Sequence, residues 1–300
     1  MKKLFLGVTA ATALLASCQS DKPLDLKFQL PQGETVRYTA DMNQNIDQTV
    51  MGNAMSIKQN MLFGMLYKVT GVEGTNRMVD VSYDRIKMET NAAGQSLKYD
   101  SKDTAGNNPA LAMLGGMLGK TFRMTVSERG QVQKVEGFDA IINSMANDPA
   151  NPNAAAMRQQ LDQMFSDDAV KQMLEQSTNI YPDKAVKPGD TWTKTSTTSM
   201  GPVSLEIANT YKLESATDKT AHVSSNAVIT GKSSTGAGAM QGMTVNMKGK
   251  QTGKMDIEIA TGIMEKMDVN QDIEGTIEMQ DMKMPMKIKT TGTVTGEKVK

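Results

Sequence analysis

The sequence predicts a mainly β protein with a helical insert (α+β): two related curved antiparallel sheets, half-barrel-like, packed against a helical middle segment. Three observations lead there. On either side of residue 138 long stretches alternate apolar and polar residues with period two, the mark of half-buried strands. From Phe138 to Ser177 the apolar spacing changes to that of a helix. Segments of the second half echo segments of the first. The 300 residues then divide into a leader over 1–17, a tether over 18–23, a first β-rich half over 24–137, a helical insert over 138–180 and a second β-rich half over 181–300.

The leader carries the most information about destination. Met1-Lys2-Lys3 is a positive start, and Leu4 to Ala16 is an apolar run of roughly 13 residues, too short to span a bilayer. It ends in Leu15-Ala16-Ser17-Cys18, which looks like the bacterial lipobox: Cys18 would be lipidated and the peptide cut before it. Cys18 is the only cysteine, and lipidation accounts for a lone thiol in an exported chain. A membrane anchor on Cys18 is therefore expected, of a strength that two or three acyl chains provide, and no disulfide. Gln19 to Pro23 reach at most roughly 18 Å, so the folded body should lie close to the membrane, facing the periplasm or the cell surface.

Composition bounds the rest. Aromatics are 4% while methionines number 26, so much of the apolar filling is flexible thioether. Lys plus Arg equals Asp plus Glu at 33 each, and loss of Lys2 and Lys3 with the leader leaves 31 against 33. Nothing basic points to nucleic acid.

In the first half, Leu24 opens the alternation, and Tyr38, Ala40, Met42, Ile46 and Val50 share one face. Gly52-Asn53 offers a hairpin turn, and Met55, Ile57, Met61, Phe63, Met65, Tyr67 and Val69 return along one continuous apolar side. Val79, Val81 and Tyr83 alternate, and the phase slips before Ile86 and Met88, as a bulge would make it do. A polar loop follows over 100–109. Ala110 to Gly119 reads equally as short helix or buried turn. Phe122, Met124 and Val126 resume a strand, Glu128-Arg129-Gly130 turns it, and Val132 and Val135 return.

The insert shows Phe138, Ile141, Ile142 and Met145 at helical spacing. Pro149 and Pro152 break that helix. Met157, Leu161, Met164 and Phe165 form the stripe of a second. Ser166 would cap a third, with Asp167 and Asp168 in its first turn and Val170, Met173 and Leu174 on one side.

The second half repeats motifs of the first. Gly33-Glu34-Thr35-Val36 matches Gly189-Asp190-Thr191-Trp192, Tyr67-Lys68-Val69 matches Tyr211-Lys212-Leu213, and Arg129-Gly130-Gln131-Val132 matches Thr261-Gly262-Ile263-Met264. Two meanders with chance similarity would look much the same. The stretch from Met243 to Ile288 is more definite. Turned at Ala260-Thr261-Gly262 and again at Gln280-Asp281, it sets seven opposite charges in register. These are Lys254–Asp268, Asp256–Lys266, Lys250–Asp272, Lys248–Glu274, Glu278–Lys283, Glu274–Lys287 and Asp272–Lys289. Met255 should lie beside Met267 and Ile277 beside Met284. Pro285 marks this last strand as an edge or a bulge.

Chemistry is scarce. His222, the single histidine, falls on the outward parity, and with one lipidated cysteine it cannot complete a zinc set or a nucleophilic triad. No spacing selects a carboxylate pair for a hydrolase, and no glycine loop cradles a phosphate. No catalytic residue, metal or cofactor is expected, and Trp192 is read as core.

The run Tyr181-Pro182-Asp183-Lys184-Ala185-Val186-Lys187-Pro188-Gly189-Asp190-Thr191-Trp192 resembles a family of uncharacterised Bacteroidota lipoproteins with a Y-P-x-K-x-V-x-x-G-D-x-W run after a helical insert. That resemblance implies an outer-membrane location and this layout, and no activity. Asp103-Thr104-Ala105 is similar to the short O-glycosylation sequon of that phylum, which would place sugar on Thr104. The expected function is a non-catalytic binding or scaffolding lipoprotein with an envelope protein partner. The alternative is a carrier of an apolar or acyl ligand on the methionine face made by Met243, Met247, Met267, Met279, Met284 and Met286.

Overall fold

The computed structural model describes residues 22–103, 105–146, 155, 158–159, 161–162, 165, 167–200, 203–234, 242–279 and 282–299. The leader, Cys18, Thr104, Met157, Met164, Ser166 and the Gln280-Asp281 turn lie outside them. The strands are β1 (Thr35–Val50), β2 (Asn53–Glu73), β3 (Asn76–Ala92), β4 (Gln95–Asp100), β5 (Thr121–Val126), β6 (Val132–Glu136), β7 (Thr191–Met200), β8 (Val203–Ala216), β9 (Thr220–Ser233), β10 (Met243–Glu258), β11 (Met264–Met279) and β12 (Met282–Val299). The undecided apolar stretch forms a 3-10 helix over Pro109–Met117. The insert supplies α1 (Phe138–Ala146) and α2 (Asp167–Thr178).

The expected two sheets are one. A single 12-stranded antiparallel sheet runs β6-β5-β3-β2-β1-β12-β11-β10-β9-β8-β7, with β4 on the far part of β3. The joint is β12, which pairs with β11 and also with β1 from Thr35↔Val299 to Gln48↔Met286. Its alternating residues fit both neighbours, so the apolar face continues across the joint. Pro285, with no N–H to give, pairs with Thr276 on β11 and sits just beyond the last β1 pair. β12 is therefore interior, with an edge only at Pro285 and the residues before it. The terminal strands β6 and β7 both pack against α2, so the helix bridges the sheet's two ends.

The internal echoes are structural. Gly33 and Gly189 both have left-handed backbones (φ 90° and 94°). Gly33 N–H donates to Val69 O at 2.8 Å and Gly189 N–H to Leu213 O at 2.7 Å, while Val69 and Leu213 N–H return to Glu34 and Asp190 O. Just beyond, the register shifts between Val69 and Gly71, and again between Leu213 and Ser215. The same bend is built twice. Gly130 (φ 83°) and Gly262 (φ 75°) occupy the other matched turn.

Between those turns runs residues 24–30, alternating as expected but outside the ladders. Leu24 bridges Val186, Phe28 N–H donates to Glu128 O, and Gln29 N–H to Thr261 O. Leu26 and Leu30 are fully buried. This strap covers one end of the curled sheet. The resemblance motif serves the same end: the Tyr181 hydroxyl donates to Gly262 O at 2.6 Å, Trp192 Nε1 to Ile180 O at 2.8 Å, and Arg129 Nη1 to Pro182 O at 2.9 Å. Trp192 also stacks on Tyr211, centroids 5.5 Å apart.

All seven charge pairs lie opposite as expected, with Met255 beside Met267 and Ile277 beside Met284. Three of these cross-strand pairs are within salt-bridge distance: Lys248–Glu274 at 3.6 Å, Lys283–Glu278 at 3.0 Å and Lys289–Asp272 at 3.9 Å. Asp256 bonds instead to His222 Nδ1 at 2.6 Å, and Lys266 to Asp268 on its own strand at 3.0 Å. The first hairpin turns at Met51-Gly52, one residue earlier than expected, with both at positive φ. The slip in phase is a bulge at Asp84, since Gly64 pairs with Arg85 and Met65 with Tyr83.

β4 ends at a buried ion pair. Both terminal guanidinium nitrogens of Arg85 donate to Asp100, Nη2 at 2.9 Å from Oδ2, and Lys102 and Asp103 N–H cap Oδ1. Arg85 first, then those backbone donors, hold the Asp100 carboxyl well below its ordinary value of 3.8, against the pull of burial. A depressed folded value means this stability is present above pH 3.8 and lost as pH falls through the folded value. Arg85→Ala leaves the carboxylate buried and unpaired, at an expected cost of about 3–5 kcal/mol. Urea midpoints at pH 7 should fall accordingly, and the gap to wild type should narrow by pH 2.

Candidate functional site

The concave face of the sheet is not filled. Next to α2 it encloses a cavity of about 490 Å³, within the usual size range of small-ligand sites. Its wall draws on both halves: Tyr38, Ala40 and Met42 of β1, Met65 and Tyr67 of β2, Met124 and Val126 of β5, Asn209 and Tyr211 of β8, Met255 of β10, Met264 and Met267 of β11 and Val294 of β12. From α2 come Met173, Gln176, Ser177 and Thr178. Met173 corrects the expected stripe. Val170 and Leu174 are buried at 1% and 6% exposure, while Met173 is 37% exposed, because the part of the sheet it faces is hollow.

Part of the wall is aromatic. Tyr38 and Tyr67 meet edge to face at 5.0 Å. Burial pushes the hydroxyls of Tyr38, Tyr67 and Tyr211 well above the ordinary phenol range. They are neutral throughout the physiological range. At Tyr38 a hydrogen bond with the Met264 backbone works weakly the other way.

Beyond the apolar wall a polar row crosses the sheet. Thr90, Gln59, Gln44, Thr290, Gln271, Gln251, Ala227, Asn209 and Lys194 stand opposite one another in successive ladders. Within it Gln44 Nε2 donates to Thr290 at 3.1 Å, Gln59 to Thr90 at 3.4 Å, and Gln271 to Gln251 at 3.0 Å. Gln251 and Asn209 border the cavity. On the far side of the row lies a separate apolar cluster around Ile229, Val245, Met247 and Ile273.

The expected methionine face is thus split. Met267 lines the cavity. Met247, with Met243 and Met286 against it, belongs to the far cluster. Met279 lies opposite Met243 and Met282, and Met284 opposite Ile277, at the far ends of these strands. The cavity's other methionines, Met42, Met65, Met124, Met173, Met255 and Met264, come from separate elements. Alternation marks those on strands as inward-facing and says nothing of where along a strand the hollow lies. A second depression, about 710 Å³ near Lys248, Glu274 and Lys287, is open to solvent and bordered by charges. His222 is half-exposed and held by Asp256. Among the described residues no three His, Cys, Asp or Glu side chains gather as a metal site.

The model of a family of unknown function, DUF6263, matches residues 74–264, more than half of the chain. The chain belongs to the DUF6263 family. The DUF6263 match covers the Gly130 and Gly262 turns and the Tyr181–Trp192 run, and it ends at the first residue of β11. No curated protein matches this DUF6263 chain. Among solved structures, lipovitellin has a similar fold, with a TM-score of 0.51 and 6% identity, over 90% of this chain and 25% of that one. The chain spans a quarter of that protein's length. An outer membrane channel from Pseudomonas putida F1 (9% identity, 92% of this chain and 99% of that one) has a TM-score of 0.21, too low to carry an argument.

Proposed function

We propose that this protein is a lipid-anchored envelope protein of bacterial outer membranes that binds an apolar, chain-like ligand without catalysis. The observation that carries this is the cavity: a hollow of about 490 Å³ walled by methionines, tyrosines and valines inside the curled sheet. An open apolar void forfeits dispersion contacts unless something fills it, and flexible thioethers adapt to an apolar guest. The lipovitellin structure, which concerns lipid–protein interactions, gives a sheet of this kind a lipid-binding parallel. Anchoring by Cys18 would hold the cavity within a short reach of the membrane that supplies the ligand.

Two experiments test the reading. Protein purified with its anchor from an envelope fraction should show, in native mass spectrometry, an added mass that denaturation releases. Ala40→Trp, placed on the cavity wall, should abolish that mass while the thermal transition remains cooperative. A wild-type protein that is always empty returns the chain to a scaffolding role with a protein partner. For the anchor, Cys18→Ala should free the protein from membranes and remove palmitate labelling. A variant that still labels contradicts the lipobox.

A further inference from the structure

Building on that reading, we propose that the ligand is an uncharged amphiphile: a hydrocarbon chain with a hydroxyl or amide head that donates a hydrogen bond to Asn209 Oδ1. The wall excludes charge. Among the described residues lining the cavity there is no Lys, Arg, Asp, Glu or His. A carboxylate or phosphate head brought inside would lose its hydration with no cation to replace it, which neutral hydroxyls do not offset.

The wall also offers a vacant acceptor. In the polar row Gln44, Gln59 and Gln251 are engaged by Thr290, Thr90 and Gln271. The pairing stops at Asn209. Its ladder neighbour on one side is Ala227, whose side chain has no polar atom. On the other side, Lys194 turns its ammonium to Asp183 at 2.6 Å. Among the described residues Asn209 Oδ1 is consequently buried with no hydrogen-bond partner, while the residue itself borders the apolar hollow, so a turn of its amide presents the oxygen to a ligand there. Buried acceptors in folded proteins are almost always satisfied. A ligand that lays its chain against the methionines and gives an O–H or N–H to Asn209 completes the row.

The test uses the full-length anchored protein, stripped of endogenous ligand in detergent and loaded with the neutral fluorophore N-phenyl-1-naphthylamine. Three competitors of equal chain length are added at pH 8: 1-dodecanol, dodecyl methyl ether and laurate. The expected result is that dodecanol displaces the fluorophore at a concentration at least about tenfold below laurate, a ratio of about 1.4 kcal/mol, and severalfold below the ether. Asn209→Leu should bring dodecanol to the level of the ether and leave fluorophore binding intact. Laurate or the ether competing as well as dodecanol overturns the proposal, and this wild-type comparison decides the matter even if Asn209→Leu fails to fold. A fluorophore that never binds, with no competitor effect, refutes the ligand cavity itself and the proposal along with it.

Discussion

Phe138→Ala is expected to destabilise the protein by about 3–5 kcal/mol, the range for deleting a fully buried ring. The side chain is 6% exposed and meets Phe122 of β5 edge to face at 5.3 Å and Phe165 at 5.8 Å. It is the point where α1 is pinned to the sheet and to the rest of the insert at once, so no neighbour can relax into the space without parting from another. Urea unfolding should show a midpoint well below that of Lys134→Ala, whose side chain is 64% exposed, with the denaturant slope unchanged. A midpoint equal to that of the surface control would mean the insert is peripheral.

Gly262→Ala is expected to be of similar severity, for a backbone reason. A Cβ at that position would stand 2.1 Å from Lys27 O and 3.0 Å from Phe28 Cα, both main-chain atoms of the strap. The left-handed conformation adds roughly 1–3 kcal/mol, and forcing the strap away adds roughly 1–3 kcal/mol more. The Gln29 to Thr261 hydrogen bond and the Tyr181 contact to Gly262 would be disturbed with it. Gly33→Ala is the control: φ is 90° and nothing lies within 4 Å of the new Cβ, so it bears the conformational strain alone. Thermal midpoints should therefore rank wild type, then Gly33→Ala, then Gly262→Ala. Equal shifts for the two variants would show that the strap yields freely.

How much of this was legible follows from what each signal encodes. The register of β10, β11 and β12 was readable because opposite charges sit at every second position on facing strands, and a slip mismatches them. The β1–β12 joint was not, because Asn43 faces Thr291, Asn45 faces Lys289 and Thr39 faces Thr295. Pairs of that sort accept several registers and several partners, so the pattern is compatible with two sheets as well as with one. The bulge at Asp84 was visible as a change of parity between Tyr83 and Ile86. β4 is not legible because Gln95-Ser96-Leu97-Lys98-Tyr99-Asp100 has too short an alternation to stand out. The cavity has the deepest reason for being invisible. Whether an inward methionine touches another side chain or empty space depends on the distance between walls that are remote in sequence, as Met173 on α2 shows.

The place of β12 sets an order of events. Every pair that β1 makes on that side joins residues separated by most of the chain, Val36 with Lys298 and Asn45 with Lys289. Closing so long a loop is slow, because its entropy is lost before any contact forms. Until residues 282–299 arrive, β1 and β11 each expose an unpaired edge along a long alternating strand, the form most prone to join strands of other molecules. The cavity draws its wall from both sides of that joint, so it is complete only when β12 is in place.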